Sequence, residues 1–306
     1  MMHARPAGGS PRPTPEPPEP PVRPDDRAPE RPGPPAPPTL LEQPAAIWSA
    51  EHVDRCRRWL GDPICQRLGI FALPPTFVLS VIVPVFNEVR TIDELIARLR
   101  ATGIPMQIIL VDDDSGDGSA ARLADYAAEP DICLLSHGHN RGKGAAIRTG
   151  LAAATGDIIV IQDADREYDP ADFRYLMQPI LEGRADVVYG TRYGHADRQV
   201  SPLWHELVNA GITKLANLAL GLRLSDIETC YKMARRDAWA AIQGDLRENR
   251  FGIEIELTAR WARRRLRFSE RPIRYQQRWY DEGKKIGWRD GVAALGCILR
   301  YGLLRR

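Results

Sequence analysis

Between Phe77 and Tyr189, short apolar runs alternate with segments of helical pattern, and no other feature constrains the fold as much. Phe77–Phe86 is an almost continuous apolar run, the pattern of a strand buried on both faces. Gln107–Val111, Ile132–Leu135, Asp157–Ile161 and Asp186–Tyr189 read as four further strands. Between them, Thr91-Ile-Asp-Glu94 has the form of a capping box at a helix start. A second helix runs on to Tyr126, Ala145–Ala154 forms a third, and Pro170 opens a fourth. Alternation at this spacing predicts an α/β domain, Rossmann-like, with a mostly parallel central sheet and helices on both faces. In such sheets, ligands bind beyond the carboxyl ends of the strands.

The flanks differ in character. Residues 1–40 hold 15 of the 26 prolines and almost nothing apolar, so residues 1–44 read as a disordered Pro-rich arm. Residues 45–76 read as a helical lead-in, with Ile47, Trp48, Val53, Trp59, Leu60, Ile64 and Leu68 at near-helical spacing and a break at Gly61-Asp62-Pro63. Residues 77–286 form the α/β domain, and 287–306 a basic amphipathic helix carrying Trp288. The net charge of +2 makes no case for nucleic acid. It hides an asymmetry, because residues 257–306 carry 14 Lys and Arg against 4 Asp and Glu, a balance suited to phosphates or an anionic membrane surface. The longest run without charged, amide or hydroxyl side chains is Gly291–Leu299, short of the roughly 18–20 residues needed to cross a bilayer. Five cysteines without a CxxC pair indicate neither a disulfide framework nor a zinc site, and suit a reducing cytosol.

Acidic clusters fall at the strand ends. Asp112, Asp113 and Asp114 follow the second strand, and Asp163 and Asp165 follow the fourth. Asp163-Ala164-Asp165 spaces two carboxylates to hold one hard divalent cation, Mg²⁺ or Mn²⁺, which would bridge them to substrate phosphates. Glu167 could complete the shell; the plainer alternative is a solvated acidic loop. Other motifs fail. Asp113–Gly118 begins like a calcium loop, but Ala124 stands at the twelfth position. Gly138–Lys143 is one residue short of a P-loop, His137-x-His139 has no third ligand nearby, and there is no G-x-S-x-G elbow.

Five motifs then occur in one order: Val83-Pro84-Val-Phe86-Asn87-Glu88, Val111-Asp-Asp-Asp-Ser115-Gly-Asp117-Gly118, Asn140-Arg-Gly-Lys-Gly144, Asp163-Ala-Asp165 and Gly190-Thr-Arg192-Tyr193. Together they resemble the family 2 glycosyltransferases of GT-A fold, in the branch of the dolichyl- and polyprenyl-phosphate mannose and glucose synthases. The resemblance runs from about residue 79 to about 291. It implies that Pro84, Phe86, Glu88, Val111 and Asp113 frame the nucleotide, with Asp113 accepting from a base N–H. Lys143, Ala164 and Arg192 would join Asp163 and Asp165 around the diphosphate, and Arg278 and Lys284 would lie on a basic loop that closes over it. The implied metal ligands are Asp163, Asp165 and Glu167. Asp226-Ile-Glu-Thr-Cys-Tyr-Lys232 is similar to the family's acceptor segment, with Cys230 where glycine is usual; Asp226 could instead cap a helix. The implied catalytic set is Asp163, Asp165, Arg192, Asp226, Arg278 and Lys284.

The resulting expectation is an inverting, metal-dependent transfer of a hexose from a nucleotide-diphosphate sugar (UDP-glucose or GDP-mannose type) to a polyprenyl phosphate. A phosphate acceptor needs no strong general base; Glu248, Glu254 and Glu256 are the nearest candidates for one. The basic helix would hold the protein peripherally at the inner face of the cytoplasmic membrane, or else pack as core. Two rivals stay open: transfer to a glycan, small-molecule or protein acceptor, and a nucleotidyltransferase or inactive nucleotide-sugar-binding protein.

Overall fold

A computed structural model describes residues 49–194, 203–277 and 288–304; the expected arm at 1–44 lies outside them, as do Arg278 and Lys284. The lead-in forms two helices, α1 (Ala50–Leu60) and α2 (Asp62–Arg67), broken at Gly61, whose φ of 79° suits glycine. Val53 and Cys65 turn inward, while Trp59, Leu60, Ile64 and Leu68 stay exposed.

The domain then runs β1 (Leu79–Val85), α3 (Ile92–Ala101), β2 (Met106–Asp112), α4 (Ser119–Ala124), β3 (Ile132–Ser136), α5 (Lys143–Ala153), β4 (Ile158–Ile161), α6 (Phe173–Leu181), β5 (Val187–Thr191), α7 (Leu203–Leu220), β6 (Lys232–Arg235), α8 (Arg236–Gln243), α9 (Ile253–Arg263) and β7 (Phe268–Pro272). Among the described residues these strands form one sheet in the order β3-β2-β1-β4-β6-β5-β7. All neighbouring pairs are parallel except those of β6, which runs antiparallel to both β4 and β5. The sequence pattern marks the first five strands and misses β6 and β7, two short segments rich in charged residues. Because β6 is reversed, its amino end shares an edge with the carboxyl ends of β1, β2, β4 and β5. That places residues 226–232 beside the acidic turns.

The apolar runs are buried as their composition requires. Val81, Ile82 and Val83 of β1 and Val160 and Ile161 of β4 have no exposed surface, and Ile92, Leu95, Ile96 and Leu99 line the inner face of α3. The capping box is a correction. Thr91 stands at the N-cap of α3, but its side chain makes no capping bond; its hydroxyl donates to the Ala164 carbonyl at 2.7 Å. Glu94 pairs with Arg166 at 2.6 Å. Both residues tie α3 to the turn after β4 instead of closing the helix end.

The C-terminal segment is α10 (Trp288–Cys297), continued by a π-helical stretch, Ile298–Leu303. Ala294, Cys297, Ile298 and Tyr301 pack with Ile212 and Ala216 of α7 and Ile255 and Ala259 of α9 in a second apolar cluster. It therefore packs on helices rather than on the sheet. Leu295, Leu299 and Leu304 remain exposed, as do Leu207, Val208, Leu215 and Leu218 of α7. These four α7 residues fall within about 100° of the helix circumference, a single apolar stripe. No helix among the described residues is long and apolar enough to cross a membrane.

Candidate active site

Strand β4 leaves the sheet at Ile161, and the chain turns at once through Gln162, Asp163, Ala164 and Asp165. Gln162 is buried; it donates to the Asp163 carbonyl at 2.9 Å and accepts from the Tyr231 hydroxyl at 2.7 Å. With Thr91 gripping the Ala164 carbonyl, the turn is fixed from both sides. Asp165 accepts from the Glu167 amide at 3.0 Å. The ammonium of Lys143, at the start of α5, lies 2.7 Å from Asp163 and 3.0 Å from Glu254. Burial alone would discharge this lysine, but the negative charge of Asp163, with that of Glu254, holds its pKa well above the ordinary value.

Three His, Cys, Asp or Glu side chains do not converge into a metal cage among the described residues. The Asp163–Asp165 pair still fits a hard cation whose remaining ligands come from phosphate and water, and a positive charge already sits on Asp163 in the form of Lys143. Glu167 turns toward Tyr275, which hydrogen-bonds it. A cleft of about 280 Å³ opens beside the turn, lined by Arg166, Glu167, Tyr168, Arg192, Tyr275 and Gln276.

Arg192 follows β5 directly. Its guanidinium grips Asp226 with two bonds of 2.7 Å, and it stacks over the Tyr275 ring at 5.3 Å. Asp226 has no exposed surface. Burial would raise its pKa, yet the Arg192 charge outweighs that and holds the carboxyl below its ordinary range. Asp226 therefore caps no helix; it fixes the arginine. Cys230, expected beside the acceptor, is buried under the turn, its thiol donating to the Ile161 carbonyl at 3.6 Å and kept protonated by burial.

On the opposite side, Phe86 and Glu88 follow β1 and Val111 and Asp113 follow the line of β2, with Pro84 and Val111 in register. Asp113 is buried, and three donors converge on it: the amides of Arg141 at 2.9 Å and Gly142 at 2.7 Å, and His137 Nδ1 at 2.6 Å. Its carboxylate shapes the 137–142 loop rather than standing free for a base. His137 is thus a structural residue, held also by Thr149 at 2.9 Å.

Sequence reasoning missed the depth of the charge network behind the turn. Lys232 is fully buried, donates to the Ile227 carbonyl at 3.0 Å and pairs with Glu254 at 2.5 Å. Glu254 is therefore no free base. Glu256 accepts from the amides of Arg247 and Glu248, and Glu248 from the Tyr301 hydroxyl, so neither of them is free either.

The model of glycosyl transferase family 2 matches residues 80–242. An undecaprenyl-phosphate mannosyltransferase of Micrococcus luteus is 30% identical over 232 residues, 74% of this chain and 94% of the relative. A dolichol-phosphate mannosyltransferase of Pyrococcus furiosus is 28% identical over 145 residues, 46% of this chain and 41% of the relative. Among solved structures, glucosyl-3-phosphoglycerate synthase of Mycobacterium tuberculosis, with Mn²⁺, UDP and glucosyl-3-phosphoglycerate, superposes with a TM-score of 0.58 at 19% identity, over 83% of this chain and 84% of that one. A mannosyltransferase of Pyrobaculum calidifontis, with GDP-mannose and Mn²⁺, gives 0.53 at 20% identity, over 82% and 71%. These two likenesses carry the fold, which is the expected GT-A arrangement. The order of motifs, the turn after β4 and the family match agree: this chain belongs to glycosyl transferase family 2.

Proposed function

We propose that the chain is an inverting, divalent-metal-dependent hexosyltransferase that moves a sugar from a nucleotide-diphosphate donor, of UDP-glucose or GDP-mannose type, to a polyprenyl phosphate. The observation that carries this reading is the Asp163–Asp165 turn with Lys143 seated on it and Arg192 lining the neighbouring cleft. A bound Mg²⁺ or Mn²⁺ on Asp163 and Asp165, with Glu167 at hand, would neutralise the departing diphosphate. Lys143 reaches the same oxygens as a second positive charge. Arg192, preset by Asp226, offers its remaining N–H groups to a phosphate in the cleft. Pro84, Phe86, Glu88, Val111 and Ala164 flank the nucleotide, with Asp113 holding the 137–142 loop. Arg278 and Lys284, which lie outside the described residues, are assigned to the donor phosphates on the sequence resemblance alone. Because Glu248, Glu254 and Glu256 are all engaged, an acceptor that is already an oxyanion suits this site better than a hydroxyl that must lose a proton.

The acceptor's lipid nature is supported by the apolar stripe of α7 and the exposed leucines of the C-terminal helix, which would hold residues 77–304 peripherally at the cytoplasmic face of the membrane. Incubation with Mn²⁺ and labelled UDP-glucose or GDP-mannose in the presence of polyprenyl phosphate is expected to move label into butanol-extractable lipid. Asp165→Ala should abolish that transfer, and with it the Mn²⁺-induced thermal shift, while leaving the metal-free melting temperature close to that of the parent. Label appearing only in a water-soluble product would reject the lipid acceptor.

A further inference from the structure

Behind the Asp163 turn, three cations face four carboxylates. Asp163 and Glu254 share Lys143, Glu254 also holds Lys232, and Asp226 holds Arg192. Glu228 is the carboxylate left over. Its Oε1 is buried without a hydrogen-bond partner, while the side chain as a whole is only half-buried. The backbone on either side cannot swing it away. The Thr229 hydroxyl donates to the Gly190 carbonyl, the Cys230 amide donates to the Tyr168 hydroxyl at 3.1 Å, and Lys232 donates to the carbonyls of Ile227 and Thr229. The charged and titratable groups facing Glu228 are Glu254 from α9, Lys232 from β6, Tyr189 from β5 and Arg192 just after it, Cys297 from α10, and Asp226 from its own segment.

We propose that Glu228 meets the acceptor as a neutral carboxylic acid, donating its proton in a hydrogen bond to an acceptor phosphate oxygen, so that binding the acceptor takes up a proton from solvent. The inference rests on the reading that the acceptor is a phosphate monoester. Arg192 is bonded to Asp226, two residues before Glu228, and its charge acts on the Glu228 carboxyl, so a phosphate drawn to Arg192 would set its charge against an ionised Glu228. The neutral acid turns that repulsion into a donor. Burial first, and the Glu254 charge second, already push the Glu228 carboxyl up to about 7, against the opposing pull of Lys232 and Arg192. The proton returns to solvent when the sugar phosphodiester, which bears one negative charge fewer, departs.

The test is calorimetric titration of the full chain with citronellyl phosphate, a short soluble isoprenyl phosphate, at pH 8 in two buffers of different ionisation enthalpy. The parent should take up nearly one proton more than Glu228→Gln. The acceptor KM of the parent should rise relative to that of the variant by roughly tenfold per pH unit above pH 7. Glu228→Met, similar in volume and without a titrating group, serves as a second variant should Glu228→Gln fold poorly. Equal proton counts, or KM profiles that run parallel, overturn the assignment of Glu228 and leave the phosphate acceptor standing. Absence of binding and of transfer at every pH overturns the phosphate acceptor, and this inference with it.

Discussion

Two carboxylates two residues apart behave in opposite ways because one has a guanidinium and the other does not. Asp226 stays charged in a fully buried place since Arg192 occupies both of its oxygens and Asn209 adds a third donor at 3.2 Å. Glu228 has Lys232 and Arg192 near but bonded elsewhere, so burial decides its state. Its native pKa, about 7, lies above its ordinary value, and folding therefore favours the protonated form. That stabilisation is fully present below about pH 4.5 and is lost as pH rises through 7. Glu228→Gln is thus expected to be more stable than the parent at pH 8, by about 2–3 kcal/mol, with the gap closing toward pH 4. Thermal or urea denaturation across that range measures it. A constant gap would mean that the carboxyl does not titrate as its surroundings dictate.

At the scale of elements, the approach of α5 to the 247–252 loop decides where Lys143 sits. Gly142 has a φ of 95°, and a Cβ there would lie 2.5 Å from the Asn249 carbonyl oxygen; a Cβ on Gly144 would collide with the Glu248 carbonyl. The glycines of Asn140-Arg-Gly-Lys-Gly144 thus permit contact between two backbones rather than cradle a phosphate. Gly144→Ala should push the loop outward, cost about 1–3 kcal/mol and weaken donor binding through the displaced Lys143. A melting curve and a donor titration would each register it. This packing also marks what could be read beforehand. β1, β2, β4 and the Asp163–Asp165 turn were legible because apolar period and turn chemistry are local. β6, with the sequence Lys-Met-Ala-Arg, was not, because the charge of the buried Lys232 is balanced there by Glu254, which lies 22 residues further on. Separation along the chain also hid Asp113, whose buried carboxylate organises a loop that begins at His137, and Thr91, which looked like a cap and is instead a tether to Ala164.

Across the whole molecule, charge and apolarity are unevenly laid out. The helical side built from α7, α9, α10 and the π-helical stretch after it carries exposed leucines, with Lys214 on α7 and Arg300 on the π-helical stretch. Such a face suits an anionic headgroup layer, with leucines entering and cations meeting phosphate. Replacing Leu215 and Leu218 together with Glu is expected to lower co-sedimentation with vesicles containing anionic lipid by at least tenfold, with the melting temperature unchanged, because both side chains are exposed already. Unaltered sedimentation would reject this face as a membrane contact. The ammonium group resting on Asp163 has a consequence of its own. A protein that brings its own counter-charge to the place proposed for a divalent ion does not depend on that ion to stay folded. In a cell starved of magnesium or manganese it would idle intact, ready to resume once supply returned.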